Sequence, residues 1–412
     1  MIFGTHDQNT LDQFAGIQQQ SVKSALMADG HFGYVMPVGG VAAYDNKVSV
    51  VGVGFDIACG NCAIKTNLTI DQFMPEYLSA IADTIAKYIS FGVGRSNVAT
   101  DAPVDAELFT DDRWNIIPRE YREILREKAR DQLGTVGSGN HYVDVFVNQA
   151  DKSIWVGVHF GSRGLGHTIA SNYLAIGQGG KWGDKGKEVE TLLDLNTLMG
   201  KDYWDLMELA GEYAYAGREW VTRKVVSILG GDEVDMVHNH HNFAWKEEHS
   251  GQDLIVVRKG ATPAFPGQRG FVGGSMGDDS VILKGSEYSK SYIGYDDAIQ
   301  SSALYSTVHG AGRVMSRTEA AGKRDRKTGE LKRDKVTGEV IKPGRVTSEM
   351  MREWLDDKGV ILRGGGLDES PHAYRRLTDV LAAQGDTIEV LHVLTPLIVV
   401  MAGANEFDPY KD

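Results

Sequence analysis

Several of the chain's twelve histidines stand where a backbone turn would present them to a ligand. His141 closes the glycine turn Gly137-Ser138-Gly139-Asn140-His141, and His159 opens His159-Phe160-Gly161-Ser162-Arg163-Gly164. His238, His240 and His241 crowd one short stretch, and Asp56 shares a turn with Cys59. Taken singly, each reads equally well as a core or surface residue at a strand end. Together they form a donor set suited to divalent metal: a hard carboxylate oxygen, borderline imidazole nitrogens and a thiolate able to bridge two ions. Two such ions held roughly 3.5–4 Å apart clamp the attacking and leaving oxygens of a phosphoryl displacement. Cys59 is the better ligand of the Cys59-x-x-Cys62 pair because it lies beside Asp56, and Cys62 reads as a small buried residue on the next strand. Two cysteines make neither a disulfide framework nor a zinc ribbon, so any metal must recruit histidines from elsewhere.

Three glycine loops fit the same chemistry: Gly161–Gly166, Gly273–Gly277 and Gly310–Gly312. Each lets backbone N–H groups approach an anion closely, and Arg163 and Arg313 add bidentate phosphate donors. His309 differs from the other histidines, being flanked by small residues in His309-Gly310-Ala311-Gly312-Arg313. An accessible ring there could attack a phosphate and form a covalent phosphoramidate. It could equally serve as a sixth metal ligand.

The elements that must position these residues alternate without a βαβ rhythm. Val48–Phe55 reads as a buried strand ending at Asp56, and Asp71–Ile89 and Pro118–Gln132 read as helices. His141–Val147 and Ile154–His159 read as strands, and Glu188–Leu229 as two helices broken near Gly200. Leu254–Val257, Val281–Leu283 and Ile388–Val400 return the chain to sheet. No strand–GxGxxG–helix unit appears. The expectation is an α+β fold in a single compact domain over residues 1–412.

A net charge of −13 argues against bulk attraction to nucleic acid, although a local basic groove stays compatible with it. No stretch has the form of a signal peptide, and no apolar run reaches the roughly 20 residues of a membrane span, so a cytoplasmic location is expected. At about 322–345 an insertion holds a tandem duplication: Lys323–Leu331 is followed directly by Lys332–Val340, each copy with a Thr-Gly turn. It reads as a protruding hairpin or a loop, either a solvated surface insertion or a basic finger touching RNA through Lys323, Arg324, Arg326, Lys327, Lys332, Arg333 and Lys335.

With these residues assembled, the chain resembles the RtcB family of RNA ligases from about residue 25 onward. The likeness rests on Asp29–Gly33, Gly54–Gly60, Gly137–His141, His159–Gly164, His241-Asn242, Arg258–Ala261, Gly274–Gly277 and His309–Arg317. The resemblance implies one Mn²⁺ on Asp56, Cys59 and His141, and a second on Cys59, His159 and His241. It also implies that His309 attacks the α-phosphate of GTP, carries GMP and passes it to an RNA 3′-phosphate, which a 5′-hydroxyl then attacks. Carried over as nucleotide contacts are Asn140, His141, Tyr142, Val143, Asp144, His241, Asn242, Gly273, Gly274, Ser275, Met276, Ser280, His309, Gly310, Ala311 and Gly312. The implied partners are GTP and RNA with 3′-phosphate or cyclic-phosphate and 5′-hydroxyl ends, acting on a monomer that an activating protein could assist.

The chain departs from the family pattern at its base-recognition edge. Asp144 stands where Glu is usual and Gly273 where Pro is usual. Arg375 replaces the lysine of Ala-Tyr-Lys. Met401-Ala402-Gly403 and an acidic tail to Asp412 take the place of a terminal Lys-Gly. These changes motivate an alternative: a metal- and nucleotide-binding paralogue of altered nucleotide or end specificity, which binds RNA ends without sealing them.

Overall fold

The computed structural model describes residues 1–104, 107–287, 297–325, 329–404 and 406. Arg326 and Lys327 of the basic insertion, and residues 407–412 of the acidic tail, lie outside them. A mixed sheet organises the α+β fold. Its strands run in the order Glu233–His240, Gly60–Thr69, Ser153–Phe160, Tyr142–Asn148, Ile388–Met401, Ser280–Gly285, Arg269–Val272, with Ile361–Arg363 pairing parallel to Ile388–Met401. The register places His240 opposite Gly60, Asn61 opposite His159, His159 opposite Tyr142, and Tyr142 opposite Met401. Five strands therefore begin or end on one line, and the residues just beyond their ends are forced together there.

A second sheet has the order Lys23–His31, Val38–Tyr44, Gln252–Lys259, Asn242–His249. The chain leaves the first sheet at His240 and enters the second at Asn242, so His241 occupies the corner between them. Two short strands, Ala261–Pro263 and Ser306–Val308, pair nearby and deliver His309 to the same corner.

Two sequence expectations are corrected. Val48–Phe55 is not one strand: Lys47–Ser49 is, and Val50–Val53 forms a helical turn capped by Ser49, whose Oγ accepts from Gly52 N at 2.8 Å. Both conformations bury a short valine run on all sides, so periodicity could not separate them. Gly54, at φ +88°, then turns the chain toward Asp56.

The expected pair of helices in Glu188–Leu229 is one helix, Leu198–Leu229, preceded by a short strand, Leu192–Asp194. Gly200 starts the helix instead of breaking it. The Thr197 hydroxyl accepts from Gly200 N at 3.1 Å, and a Cβ at Gly200 would lie 2.1 Å from Asp194 O. The helix buries Tyr203, Leu206, Leu209, Ala210, Val221 and Val225 at three- and four-residue spacing.

The remaining elements keep their expected character. Helices span Pro75–Tyr88 and Arg119–Gln132. The last strand crosses Pro396 by a register shift, as a missing N–H requires. Among the described residues, no helix is long and apolar enough to cross a membrane. Among the described residues of the duplicated segment, Arg324 bridges to Leu331 and Arg333 to Val340.

Candidate active site

A cleft of about 940 Å³ opens at the line of strand ends, a volume able to hold a nucleotide. Its wall contains Asp56, Cys59, His141, His159, His241 and His309 together. The imidazole tautomers follow from what each ring touches. His141 Nδ1 lies 2.8 Å from Val136 O, and a carbonyl only accepts, so Nδ1 carries the proton. Its Nε2 is left 3.7 Å from Cys59 Sγ. His159 repeats the arrangement: Nδ1 donates to Asn61 Oδ1 at 2.6 Å, and Nε2 lies 3.6 Å from the same sulfur. Asn61 is itself oriented, since its Nδ2 donates to Phe271 O at 2.8 Å. Among the described residues, Cys59, His141 and His159 bring their donor atoms within 4.8 Å of one another.

The electrostatics point the same way. Burial, with the neighbouring Asp56 charge, pushes the Cys59 thiol well above its ordinary range. Burial would also raise the Asp56 carboxyl, but the His141 hydrogen bond and charge, with Arg163, hold it down to about 2. Burial keeps His159 and His241 far below the usual imidazole value, hence neutral and able to act as ligands. The 3.2 Å approach of Asp56 Oδ2 to His141 Nε2 needs a proton or a cation between them. His241 Nδ1 is buried with no hydrogen-bond partner among the described residues, and its ring centre lies 5.0 Å from that of His159 and 4.8 Å from that of His309. A divalent cation would replace the thiol proton and supply the missing partners, so this donor set fits a metal.

His309 is held by a residue whose role sequence reasoning missed. Asp29, fully buried at the end of the Lys23–His31 strand, places Oδ2 2.7 Å from His309 Nδ1 and 2.9 Å from His309 N. Nδ1–H donates to the carboxylate, which leaves the Nε2 lone pair toward the cleft. The available signal was the Asp29-Gly30-His31 run itself, whose partner lies 280 residues away.

Arg218 was missed as well. Its guanidinium, fully buried on the long helix, donates through Nη1 to Ala58 O at 2.8 Å and to Phe160 O at 2.7 Å. Nε donates to His238 Nε2 and Nη2 contacts His240 Nδ1, both at 2.8 Å. One side chain thus ties down the residue before Cys59 and the residue after His159. His238 and His240, crowded beside His241 in sequence, are partners of Arg218.

The predicted nucleotide contacts divide. Asn140, Tyr142, Asp144, Asn242, Gly273, Gly274, Ser275 and Met276 line the cleft, as do Gly310, Ala311, Gly312 and Arg313. Val143 points the other way into the apolar core, as strand alternation demands. Ser280 acts behind the loop, its Oγ accepting from Gly274 N at 3.0 Å. Asn242 Oδ1 accepts from Gly260 N at 2.7 Å and so braces the turn beneath His309.

Two glycine loops reach the cleft, whereas Gly161–Gly166 leads into the Arg163–Gly177 helix behind it. Arg163 lies against Gly137, 3.3 Å behind His141 Nδ1, and not in the cleft wall. Arg313 donates to Met315 O, Tyr374 OH and Asp368 O, which makes it a brace of the cleft wall.

The family model described as tRNA-splicing ligase RtcB matches residues 10–402. The RNA-splicing ligase RtcB of Escherichia coli K12 is 30% identical over 403 residues, covering 91% of this chain and 89% of its own length. The tRNA-splicing ligase RtcB of Archaeoglobus fulgidus is 31% identical, covering 89% and 84% respectively. That of Thermococcus kodakarensis is 30% identical, covering 90% and 86%. The match runs through both sheets and the cleft between them, and the chain belongs to the RtcB family.

Proposed function

We infer that this protein is an RNA ligase that joins a 3′-phosphate or 2′,3′-cyclic phosphate end to a 5′-hydroxyl through a GMP adduct on His309. The observation that carries the reading is the Asp29–His309 contact, which holds Nδ1 as the donor and leaves Nε2 to the cleft. Nε2 would form a bond to the α-phosphorus of GTP as pyrophosphate leaves with the electron pair. A 3′-phosphate oxygen of RNA, freed by addition of water where the end is a 2′,3′-cyclic phosphate, would then take the GMP, returning Nε2 to its starting state. The 5′-hydroxyl of the second RNA attacks that activated phosphate, losing its proton as GMP departs. Asp56, Cys59 and His141 would hold one Mn²⁺, and Cys59, His159 and His241 a second. Bound there, the ions supply positive charge to the phosphate oxygens.

The test is incubation with [α-³²P]GTP and Mn²⁺. An acid-labile label is expected on the native protein and absent from His309→Ala. Labelling that persists in the variant removes His309 as the nucleophile.

A second reading concerns which base the nucleotide carries. Burial raises the Asp144 carboxyl well above its usual range, and its Oδ1 is buried without a partner, as are Tyr142 OH and Ser275 Oγ. Met401 lines the cleft beside them. A strict preference for GTP over ATP in the adduct assay would count against altered nucleotide specificity. Adduct formation without sealing of any 3′-phosphate/5′-hydroxyl pair would favour the end-binding paralogue.

A further inference from the structure

The described residues of the duplicated segment repeat one hydrogen-bond pattern, and the chemistry above makes no use of it. In the first copy Asp325 N donates to Glu330 O at 2.7 Å, Gly329 N to Asp325 O at 3.0 Å, and Arg324 Nη1 to Gly329 O at 2.8 Å. The second repeats the pattern with Asp334 N to Glu339 O at 2.8 Å, Gly338 N to Asp334 O at 3.0 Å, and Arg333 Nη1 to Gly338 O at 2.9 Å. The two arginines therefore brace their own turns. Lys323, Lys332, Lys335 and Lys342 are left as exposed cations on the repeated frame. Residues 323–345 carry nine Lys and Arg against four Asp and Glu, in a chain of net charge −13.

The base of this module is fixed to the rim of the cleft. Lys323 N donates to Lys342 O at 2.9 Å, which closes the insertion at its root. Arg345 N donates to Glu319 O at 2.9 Å, and Arg345 Nη1 reaches Glu319 Oε1 at 2.6 Å. Glu319 and Arg317 both line the cleft of His309. Arg317 also lines a second concavity of about 770 Å³, which lies between the first copy and the Ser348–Lys358 helix. Its floor is apolar, with Met351, Leu355 and Leu362, while Lys323, Arg324 and Arg352 are basic members of its wall. Four carboxylates share that wall: Asp368, which pairs with Arg317, Glu406, which pairs with Arg95, and Asp325 and Asp356.

We propose that Lys323, Lys332, Lys335, Lys342 and this concavity form an exosite for the single-stranded RNA that continues beyond the end held at His309. Exposed lysines beside a concavity suit the phosphate backbone of a strand, whose attraction is electrostatic and independent of sequence. Continuity with the cleft through Arg317 favours RNA over an acidic protein as the occupant. The inference rests on the RNA-ligase reading, and the assay separates the two.

Two variants of the full chain serve the test. One carries Lys323→Gln, Lys332→Gln, Lys335→Gln and Lys342→Gln together. The other lacks residues 323–343, with Gly322 joined to Gly344, since a Cβ on Gly322 would lie 2.7 Å from Gly344 N. Binding and joining are measured with a 3-nucleotide and a 20-nucleotide 3′-phosphate RNA. Each lost phosphate contact lowers the log–log salt slope by roughly 0.7, so the lysine variant should lose about 2–3 of that slope. Its affinity for the long RNA should fall about tenfold at physiological salt, with joining of the short RNA within about twofold of native. Unchanged long-RNA binding in both variants overturns the exosite, as does displacement of the long RNA by polyglutamate as readily as by polyuridylate. A native protein that joins neither RNA sinks the ligase reading. It sinks the exosite too if long and short RNA bind alike.

Discussion

The two ends of the cleft are finished to different degrees. At the metal end, the Nδ1 atoms of His141, His159 and His309 each face a fixed acceptor: Val136 O, Asn61 Oδ1 and Asp29 Oδ2. At the other end Tyr142, Met276 and Met401 share an apolar cluster, and the polar atoms Tyr142 OH, Asp144 Oδ1 and Ser275 Oγ are buried without partners. Native structures rarely tolerate such orphans, and each one asks for an explanation. Asp29 Oδ1 and His241 Nδ1 are orphans at the first end too, among the described residues, so the two ends differ in that fixed acceptors orient the rings of one and not the polar groups of the other. Breaking a contact at the first end should therefore cost rate or metal affinity, and changes at the second should act on fit and selectivity.

The largest effect is expected from Asp29→Asn. An amide can present its NH₂ to Nδ1 and so place the proton on Nε2, which disarms the attacking nitrogen. The comparable loss of an orienting carboxylate in hydrolases costs about 10⁴-fold, and a fall of at least about 10³-fold in adduct formation is expected here. Single-turnover labelling with [α-³²P]GTP measures it. A rate within tenfold of native would show that the Asp29 contact does not set the tautomer.

Next comes Arg218→Lys. An ammonium keeps the charge but cannot reach Ala58 O, Phe160 O and two imidazoles at once. Residues that orient metal ligands typically contribute 10–100-fold in affinity, so Mn²⁺ binding should weaken by about that factor. Calorimetric titration reads the change, with circular dichroism checking that the fold persists. Native affinity in a folded variant would reduce Arg218 to a packing residue.

Acid should destabilise the metal-free protein through the same cluster. Burial, and then the Arg218 charge, keep His238 and His240 far below their ordinary range. The unfolded chain therefore binds more protons as pH falls below about 6.5. Stability is fully present above that value and is lost on acidification, by roughly 1.4 kcal/mol per pH unit for each ring. The Asp144 carboxyl, raised by burial, works in the opposite sense and offsets part of the loss. The Tm of the metal-free protein should drop between pH 7 and 5.5, and a flat or rising Tm would contradict neutral, buried rings.

How much of this was legible in the sequence follows from the range of each signal. Cys59, His141, His159 and His241 announce themselves locally, by donor type next to a turn. The Asp29–His309 contact spans 280 residues, and the Asp29-Gly30-His31 run does not name its partner. Arg218 sits within the long helix, and only the fold shows that it is fully buried. Gly200 looked like a break because a glycine inside a helical pattern usually marks one. The close approach of Asp194 O that demands it lies in the preceding turn.

The smallest expected effect concerns Gly273, where the family usually has proline. A Cβ there would lie 2.2 Å from Tyr142 OH, so the glycine and the tyrosine hydroxyl are matched occupants of one space. The Tyr142 ring is stacked on His159, with centroids 5.5 Å apart and planes 14° from parallel, so it cannot swing aside without disturbing that histidine. Gly273→Pro alone should cost about 1–2 kcal/mol of stability, in the range of an overpacked core. Tyr142→Phe removes the hydroxyl, which has no partner to lose, and should be nearly neutral. The double variant should recover most of the loss, and additivity of the two single effects would mean that the positions are not coupled. The same pair separates the two ends of the cleft: relief of the clash should restore stability, with labelling by [α-³²P]GTP unchanged from native.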